Sequence, residues 1–197
     1  MKCSDFILAS GSPQRITLLR QIAYEPKEIL PADICEDCLP HEDVLPYVRR
    51  MALSKAQSVA EKRPAENVLA CDTVVAVGRR VLHKSHDDEE QRRVMKLLSG
   101  RTHRVISSVC LINKNGKISQ RTVSTKVCMK VLSPQEIEDY IYCGEWKGVC
   151  GYKIEGRLAA YVTKIVGSYS GVVGLPLNET RNLLKGENIH ECNENSL

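Results

Sequence analysis

The chain of 197 residues is poor in large aromatic anchors. It holds one Trp and one Phe, so its interior must be mainly aliphatic. None of its apolar runs approaches the roughly 20 residues that a membrane-spanning helix needs, which excludes such a span. It also lacks a charge surplus. The formal net charge is +4 and Lys and Arg gather in no single tract, too weak a signal for nucleic acid or an acidic membrane, yet compatible with a small anionic substrate. Histidine is sparse: His41, His83, His86, His103 and His190 form no ligand pair at helical spacing, so no zinc site is expected. The Cys35-Glu36-Asp37-Cys38 run has no second C-x-x-C to complete a metal site and sits in a loop, so it reads as coincidence.

The nine cysteines are an odd number, and several lie inside apolar runs. The opening Met1-Lys2-Cys3-Ser4-Asp5 leads into only a few apolar residues, unlike a secretory leader. Both features predict free thiols acting as small hydrophobes in a reducing cytoplasm. Hydrophobic residues at 43% and charged residues at 26% are the balance of a globular protein, and the length suffices for a sizeable core.

Periodicity gives an alternating order of elements. Phe6–Ala9 is a buried-strand candidate. A helix follows, with Ser12 as N-cap, Pro13 in the first position and an apolar face through Ile16, Leu19, Ile22 and Ala23. Residues 24–45 read as an irregular strand plus loop, and 46–62 as a helix. The Val-rich run Val68–Val77 is a strand, turned at Gly78 into a hairpin returning through Val81-Leu82. Asp87–Leu98 is a helix stopped by Gly100. Val105–Ile112 and Ile118–Val131 are antiparallel strands joined at Asn113–Gly116. Ser133-Pro134-Gln135-Glu136 is a capping box opening a helix to Tyr142. Arg157–Val166 reads as a strand and Pro176–Leu184 as the last helix. The expectation is one α/β unit with a mixed sheet over residues 1–185 and a polar, frayed tail over 186–197.

Three groups carry candidate chemistry. Ser10-Gly11-Ser12-Pro13-Gln14-Arg15 places small residues, two hydroxyls and a guanidinium between a strand and a helix N-terminus, a setting for a phosphate, although it is not a Walker loop. Asp72 interrupts a strand that is apolar on both faces. A carboxylate there is expensive unless paired or bound to metal, and suits Mg²⁺ ligation or general-base work on water. The third group is basic: Arg50, Lys55 and Lys84, each equally readable as a solvated charge. Glu36, in an acidic loop, reads as a metal ligand or as surface.

The blocks Ser10-Gly11-Ser12-Pro13-x-Arg15, Arg50-x-x-x-x-Lys55-Ala56, Asp72-Thr73-Val74-Val75, Lys84, Leu98-Ser99-Gly100-x-x-His103-x-Val105, Gly151-Tyr152-x-Ile154-x-Gly156 and Gly167-Ser168-Tyr169-Ser170-x-Val172-Val173-Gly174-Leu175-Pro176-Leu177 together resemble the Maf family, in order, from about residue 6 to 184. The resemblance implies an elongated α/β fold with a strongly twisted mixed sheet, flanking helices and a cleft between two lobes, like the inosine triphosphatases. It implies a nucleoside triphosphate pyrophosphatase that removes non-standard or modified nucleotides, needs Mg²⁺ or Mn²⁺, and is a homodimer. The family is also linked to arrest of cell division and septum formation, so the alternative is a nucleotide-binding regulator with little turnover. A purine-directed inosine triphosphate pyrophosphatase shares the chemistry but not these blocks.

By that resemblance Asp72 is the catalytic proton acceptor. Ser10, Ser12, Arg15, Lys55 and Lys84 contact phosphate, Glu36 lies with Asp72 near the metal, and Gln14, Thr73 and Glu155 set base specificity. The chain departs from the family pattern at four places. Gln14 stands where members preferring thymidine and uridine triphosphates carry Arg. Glu155 stands where those carry Gln and where a branch acting on 7-methylguanosine triphosphate carries Glu, whereas Thr73 matches the first branch. Cys71 replaces a common Ala. Gly148 occupies the place of a lysine, one residue after Lys147. A Glu carboxylate only accepts hydrogen bonds, so Glu155 is expected to shift preference toward donor-rich base edges such as that of guanine.

Overall fold

The computed structural model describes residues 4–192. Its frame is set by β3 (Val68–Val77), whose ten residues are buried except for Thr73 and Val77, which are partly so. A Val-rich strand apolar on both faces needs cover on both, and helices supply it. The strand order is β2-β1-β3-β5-β6-β7, with β4 also paired to β3. β1 (Ser4–Leu8) runs parallel to β2 (Pro26–Ile29) and to β3. β4 (Arg80–Leu82), β5 (Thr102–Ile112), β6 (Ile118–Met129) and β7 (Val162–Val166) join by antiparallel pairing. This is the mixed α/β sheet with flanking helices that the sequence predicts.

On one face lies α2 (Val44–Lys62), whose Ala52, Ala56 and Val59 meet Ile7, Val68, Ala70 and Cys110. Small residues let the helix approach the sheet closely. On the other face α1 (Pro13–Gln21) and α6 (Leu177–Gly186) bring Leu18, Leu19, Leu183 and Leu184 against Phe6, Leu69, Val109 and Leu111. A separate apolar cluster joins α3 (Asp88–Leu98) and α4 (Pro134–Cys143) to Val75, Leu82, Tyr152 and Leu158. β3 and β5 run through both halves, and the two packed groups flank a cleft. Among the described residues no helix is long and apolar enough to cross a membrane.

Most expected elements occur where the sequence puts them, including the capping box of Ser133 and Glu136. Three local expectations are corrected, and one short helix is added. Arg157–Tyr161 is a 3₁₀ turn, and only Val162–Val166 is strand. Leu158-Ala159-Ala160 carries no β-branched residue, and the turn swings Leu158 fully into the core, whereas Val162, Thr163, Ile165 and Val166 suit a pleated strand. Tyr169–Val173 forms a short helix, α5, hidden in the sequence by Gly171. Ser12 stands at the N-cap of α1, but its hydroxyl does not cap; it donates to Gln14 Oε1 at 3.1 Å. Among the described residues the thiols are free as expected, yet only Cys71 and Cys110 are buried, and Cys35 and Cys38 are exposed.

Beyond α6 the chain packs rather than leaving the body. Ile189 is buried and the Cys192 N–H donates to the Ala23 carbonyl at 2.6 Å. The rest of the expected tail, residues 193–197, and Cys3 lie outside the described residues.

One buried polar contact lies against the α3–α4 cluster, to which Tyr152 belongs. His103, on β5, shares a 2.6 Å hydrogen bond through Nε2 with the Tyr152 hydroxyl, while its Nδ1 has no partner among the described residues. Burial pushes the imidazole pKa down to about 4. The unfolded ring titrates near 6.5. Between these values the unfolded chain takes up a proton that the folded chain refuses, so this contribution to stability is complete above pH 6.5 and is lost as the pH falls toward 4. The loss is on the order of 3 kcal/mol. Urea unfolding at pH 7 and pH 4 checks it: wild type loses about 3 kcal/mol more than His103→Gln. Equal losses would show that the folded protein accepts the proton.

Candidate active site

Along one edge β3 pairs with β5 from Val68 to Ala76. Along the other it pairs with β1 only at Val68 and Leu69, and with β4 only at Val75, Ala76 and Val77. Among the described residues, 70–74 therefore have no strand partner on that edge. The gap opens into a cleft of about 450 Å³. Alternation along β3 then turns Asp72 toward α2 and Thr73 toward the opposite side.

Lys55 sits on the buried face of α2 between Ala52 and Ala56 and is only 9% exposed. Its Nζ donates to Asp72 Oδ1 at 2.6 Å and lies 2.8 Å from Glu36 Oε1. Burial alone would push the Lys55 ammonium down, but the carboxylates of Asp72 and Glu36 outweigh it and hold its pKa above the ordinary lysine value. Desolvation would likewise raise Glu36, and the positive charges of Lys55, Lys84 and Arg15 more than offset it, so Glu36 titrates below the usual range. The costly carboxylate in β3 is thus resolved by a buried cation.

The turn after β1 builds the opposite wall. Arg15 is pinned twice: Nη1 donates to Ser10 Oγ at 2.9 Å and Nε to the Gly174 carbonyl at 3.0 Å. The same carbonyl faces Thr73 Oγ1 and Cys71 Sγ, each at 3.2 Å. Gly174 has φ 139°, a backbone state open to glycine, and this aims its carbonyl at all three donors. The guanidinium keeps further N–H groups for an anion, held in orientation before one arrives.

Every residue proposed from the sequence for phosphate, metal or base contact lines this cleft: Ser10, Ser12, Gln14, Arg15, Glu36, Lys55, Asp72, Thr73, Lys84 and Glu155. Arg50 does not. It chelates Glu42, through Nε at 2.7 Å and Nη2 at 2.5 Å, and donates to the Asp37 carbonyl at 2.9 Å, so it braces the loop that carries Glu36. Cys35 and Cys38 stay free thiols, with Cys35 Sγ donating to Asp37 Oδ2 at 3.2 Å.

Sequence reading missed two contributors. Lys153 also lines the cleft, giving four cations (Arg15, Lys55, Lys84 and Lys153) against three carboxylates (Glu36, Asp72 and Glu155). A lysine between Tyr152 and Ile154 carries no pattern of its own; only the turn of the chain aims it inward. The Gly174 carbonyl was equally illegible, because a backbone acceptor has no residue signature. The net positive lining favours a polyanionic ligand.

Glu36 and Asp72 are hard oxygen donors converging on one ammonium, a set that fits Mg²⁺ or Mn²⁺. Among the described residues no group of three or more His, Cys, Asp or Glu is placed to hold a metal ion. Two carboxylates, with the remaining positions left to phosphate oxygens and water, match the way Mg²⁺ is bound at nucleotide sites.

A family model described as Maf-like protein matches residues 5–187. A dTTP/UTP pyrophosphatase of Paramagnetospirillum magneticum is 50% identical over 181 residues, covering 91% of this chain and 95% of that protein. A dTTP/UTP pyrophosphatase of Mesorhizobium japonicum is 47% identical over 188 residues, covering 92% and 90%. A solved nucleoside-triphosphatase / dITP/XTP pyrophosphatase from Mycobacterium abscessus matches 63% of this chain and 72% of its own at 15% identity, with a TM-score of 0.41. That likeness is too loose to bear on the fold, which rests on the strand order above.

The buried ion pair makes a prediction about stability. Lys55→Met leaves Asp72 without its counter-charge and lowers unfolding free energy by about 3 kcal/mol. In the Lys55→Met/Asp72→Asn double variant most of that loss returns, read as a coupling term in a urea double-mutant cycle. Strict additivity would remove the pair from the stability of the fold.

Proposed function

The chain belongs to the Maf-like protein family, and on that footing we propose that it hydrolyses nucleoside triphosphates to the nucleoside monophosphate and pyrophosphate as a house-cleaning enzyme. The single observation that carries this reading is the cleft itself, in which a pinned guanidinium, three lysines and a lysine-bridged carboxylate pair share one cavity.

Each group has a task that its surroundings suit. Ser10, Ser12 and Arg15 hold phosphate at the start of α1, where backbone N–H groups and the helix dipole favour negative charge. Lys55 and Lys84 neutralise charge along the triphosphate. Lys55 is bound to Asp72 before substrate arrives; a phosphate that draws its ammonium away frees the Asp72 carboxylate to orient a water and take its proton. Water then bonds to the α-phosphorus, the bond from that phosphorus to the bridging oxygen breaks, and pyrophosphate leaves with the electron pair. Glu36 and Asp72 are the residues that would hold a divalent cation, whose chemistry there is neutralisation of the triphosphate and activation of water.

Gln14, Thr73 and Glu155 are the base-reading positions of this proposal. The relatives' names point to uracil and thymine, as Thr73 does. Glu155 works against them, because a carboxylate accepts and does not donate. Glu155 therefore shifts efficiency away from UTP and dTTP. The reading also carries a homodimer and a cytoplasmic location, expectations that follow from the family resemblance.

Two measurements test the proposal. With Mg²⁺ or Mn²⁺, wild type releases pyrophosphate from at least one triphosphate, and Asp72→Asn loses at least about a hundredfold in kcat while still unfolding cooperatively, at a midpoint lowered by the unpaired Lys55. Release of orthophosphate instead would refute the reaction class. On a panel of standard and modified triphosphates, Glu155→Gln raises kcat/KM for UTP and dTTP relative to GTP by about tenfold. Highest wild-type efficiency on UTP and dTTP would sink the role given to Glu155.

A further inference from the structure

Gln91 lies on α3 in the inward stripe that Met95 and Leu98 continue, and all three are fully buried. An apolar residue there would pack at no desolvation cost. A buried amide is tolerated only when its polar ends are paired. Both are: Nε2 donates to the Gly151 carbonyl at 2.6 Å, and Oε1 accepts from Ser85 Oγ at 2.8 Å. The arrangement has one sense, because a carbonyl can only accept and so fixes the NH₂ toward Gly151.

The two partners belong to separate stretches of the chain that both reach the cleft. Ser85 directly follows Lys84, which lines the phosphate side. Gly151 opens the segment that delivers Lys153 and Glu155. The same two stretches meet in an antiparallel bridge between Lys84 and Cys150. Gly151 has φ +73°, and a Cβ on it would stand 3.3 Å from Val75 Cγ2, so this segment has one seat against β3. Further on, the Lys153 N–H donates to the Tyr140 hydroxyl at 3.1 Å. Gln91 itself does not line the cleft.

We propose that Gln91 is a positioning residue that locks the Lys84–Ser85 segment and the 150–155 segment in one register, so that phosphate grip and base reading act as a unit. The inference rests on the cleft being the nucleotide site, and it deepens that reading by naming what fixes base selectivity from behind. Gln91→Leu keeps the volume and removes both hydrogen bonds. Ser85→Ala removes one of them and leaves the helix intact.

The test uses non-hydrolysable α,β-imido analogues of dUTP and dGTP, with dissociation constants read by calorimetry, alongside steady-state kinetics and thermal unfolding. Gln91→Leu is expected to weaken binding of the preferred analogue about tenfold and to narrow the gap between the two bases by a similar factor. In kinetics the change falls on KM and base selectivity, with kcat held within about threefold. Ser85→Ala moves the same quantities in the same direction by less, and decides the matter if Gln91→Leu does not fold. A lower melting temperature with unchanged dissociation constants and unchanged base selectivity overturns the proposal, because that is what a purely structural glutamine would give. Wild type that binds the analogues selectively yet releases no pyrophosphate refutes the enzymatic reading alone, and Gln91 is then judged on binding. Wild type that binds neither analogue overturns both.

Discussion

An ammonium buried between two carboxylates is the constraint on which the rest of this molecule depends. Asp72 interrupts the strand at the centre of the sheet, and without a cation its burial would be prohibitive. Lys55 removes that cost at 2.6 Å and, through Glu36 at 2.8 Å, draws in the loop after β2. The cation has to come from a helix lying flat on the sheet, which explains why Lys55 is flanked by Ala52 and Ala56: anything larger would lift α2 and break the pair. Packing and chemistry are therefore one requirement. The same contact stores the proposed base in an occupied state until an anion competes for its partner.

The gap in the pairing of β3 is the second determinant. A sheet edge left unpaired in its middle is normally a liability. Here the interruption between β1 and β4 gives small ligands access to the middle of the central strand rather than to its end. The walls come from chain segments remote in sequence: the turn before α1, the turn before α6 and the segment after Trp146. They are joined by few bonds, each to a defined acceptor, with Gly174 serving Arg15, Thr73 and Cys71 and with Gln91 serving Ser85 and Gly151. Rigid second partners of this kind keep contact groups in register without touching the ligand themselves.

Much of this was legible in one dimension, for stated reasons. Val68–Val77 announced itself by β-branched density, the Ser133 helix by its capping box, and Asp72 by its wrong polarity for its place. The readings that failed share a cause. Leu158-Ala159-Ala160-Tyr161 became a 3₁₀ turn because burial of Leu158 outweighed the extended pattern around it, and the Ser12 hydroxyl turned to Gln14 instead of capping α1. Local propensity is weak beside a tertiary contact of this size.

The sequence by itself determined which elements form and which residues carry unusual chemistry, because periodicity, caps and a misplaced charge are local properties that survive without coordinates. Its motif order also determined the family. Only the tertiary structure decided that Asp72 is bound to a lysine, that Lys153 joins the cleft, that a backbone carbonyl orients Arg15, and that a buried glutamine joins Ser85 to Gly151. Those facts depend on distances between segments far apart in the chain, and pairing across space leaves no periodic trace in a single sequence.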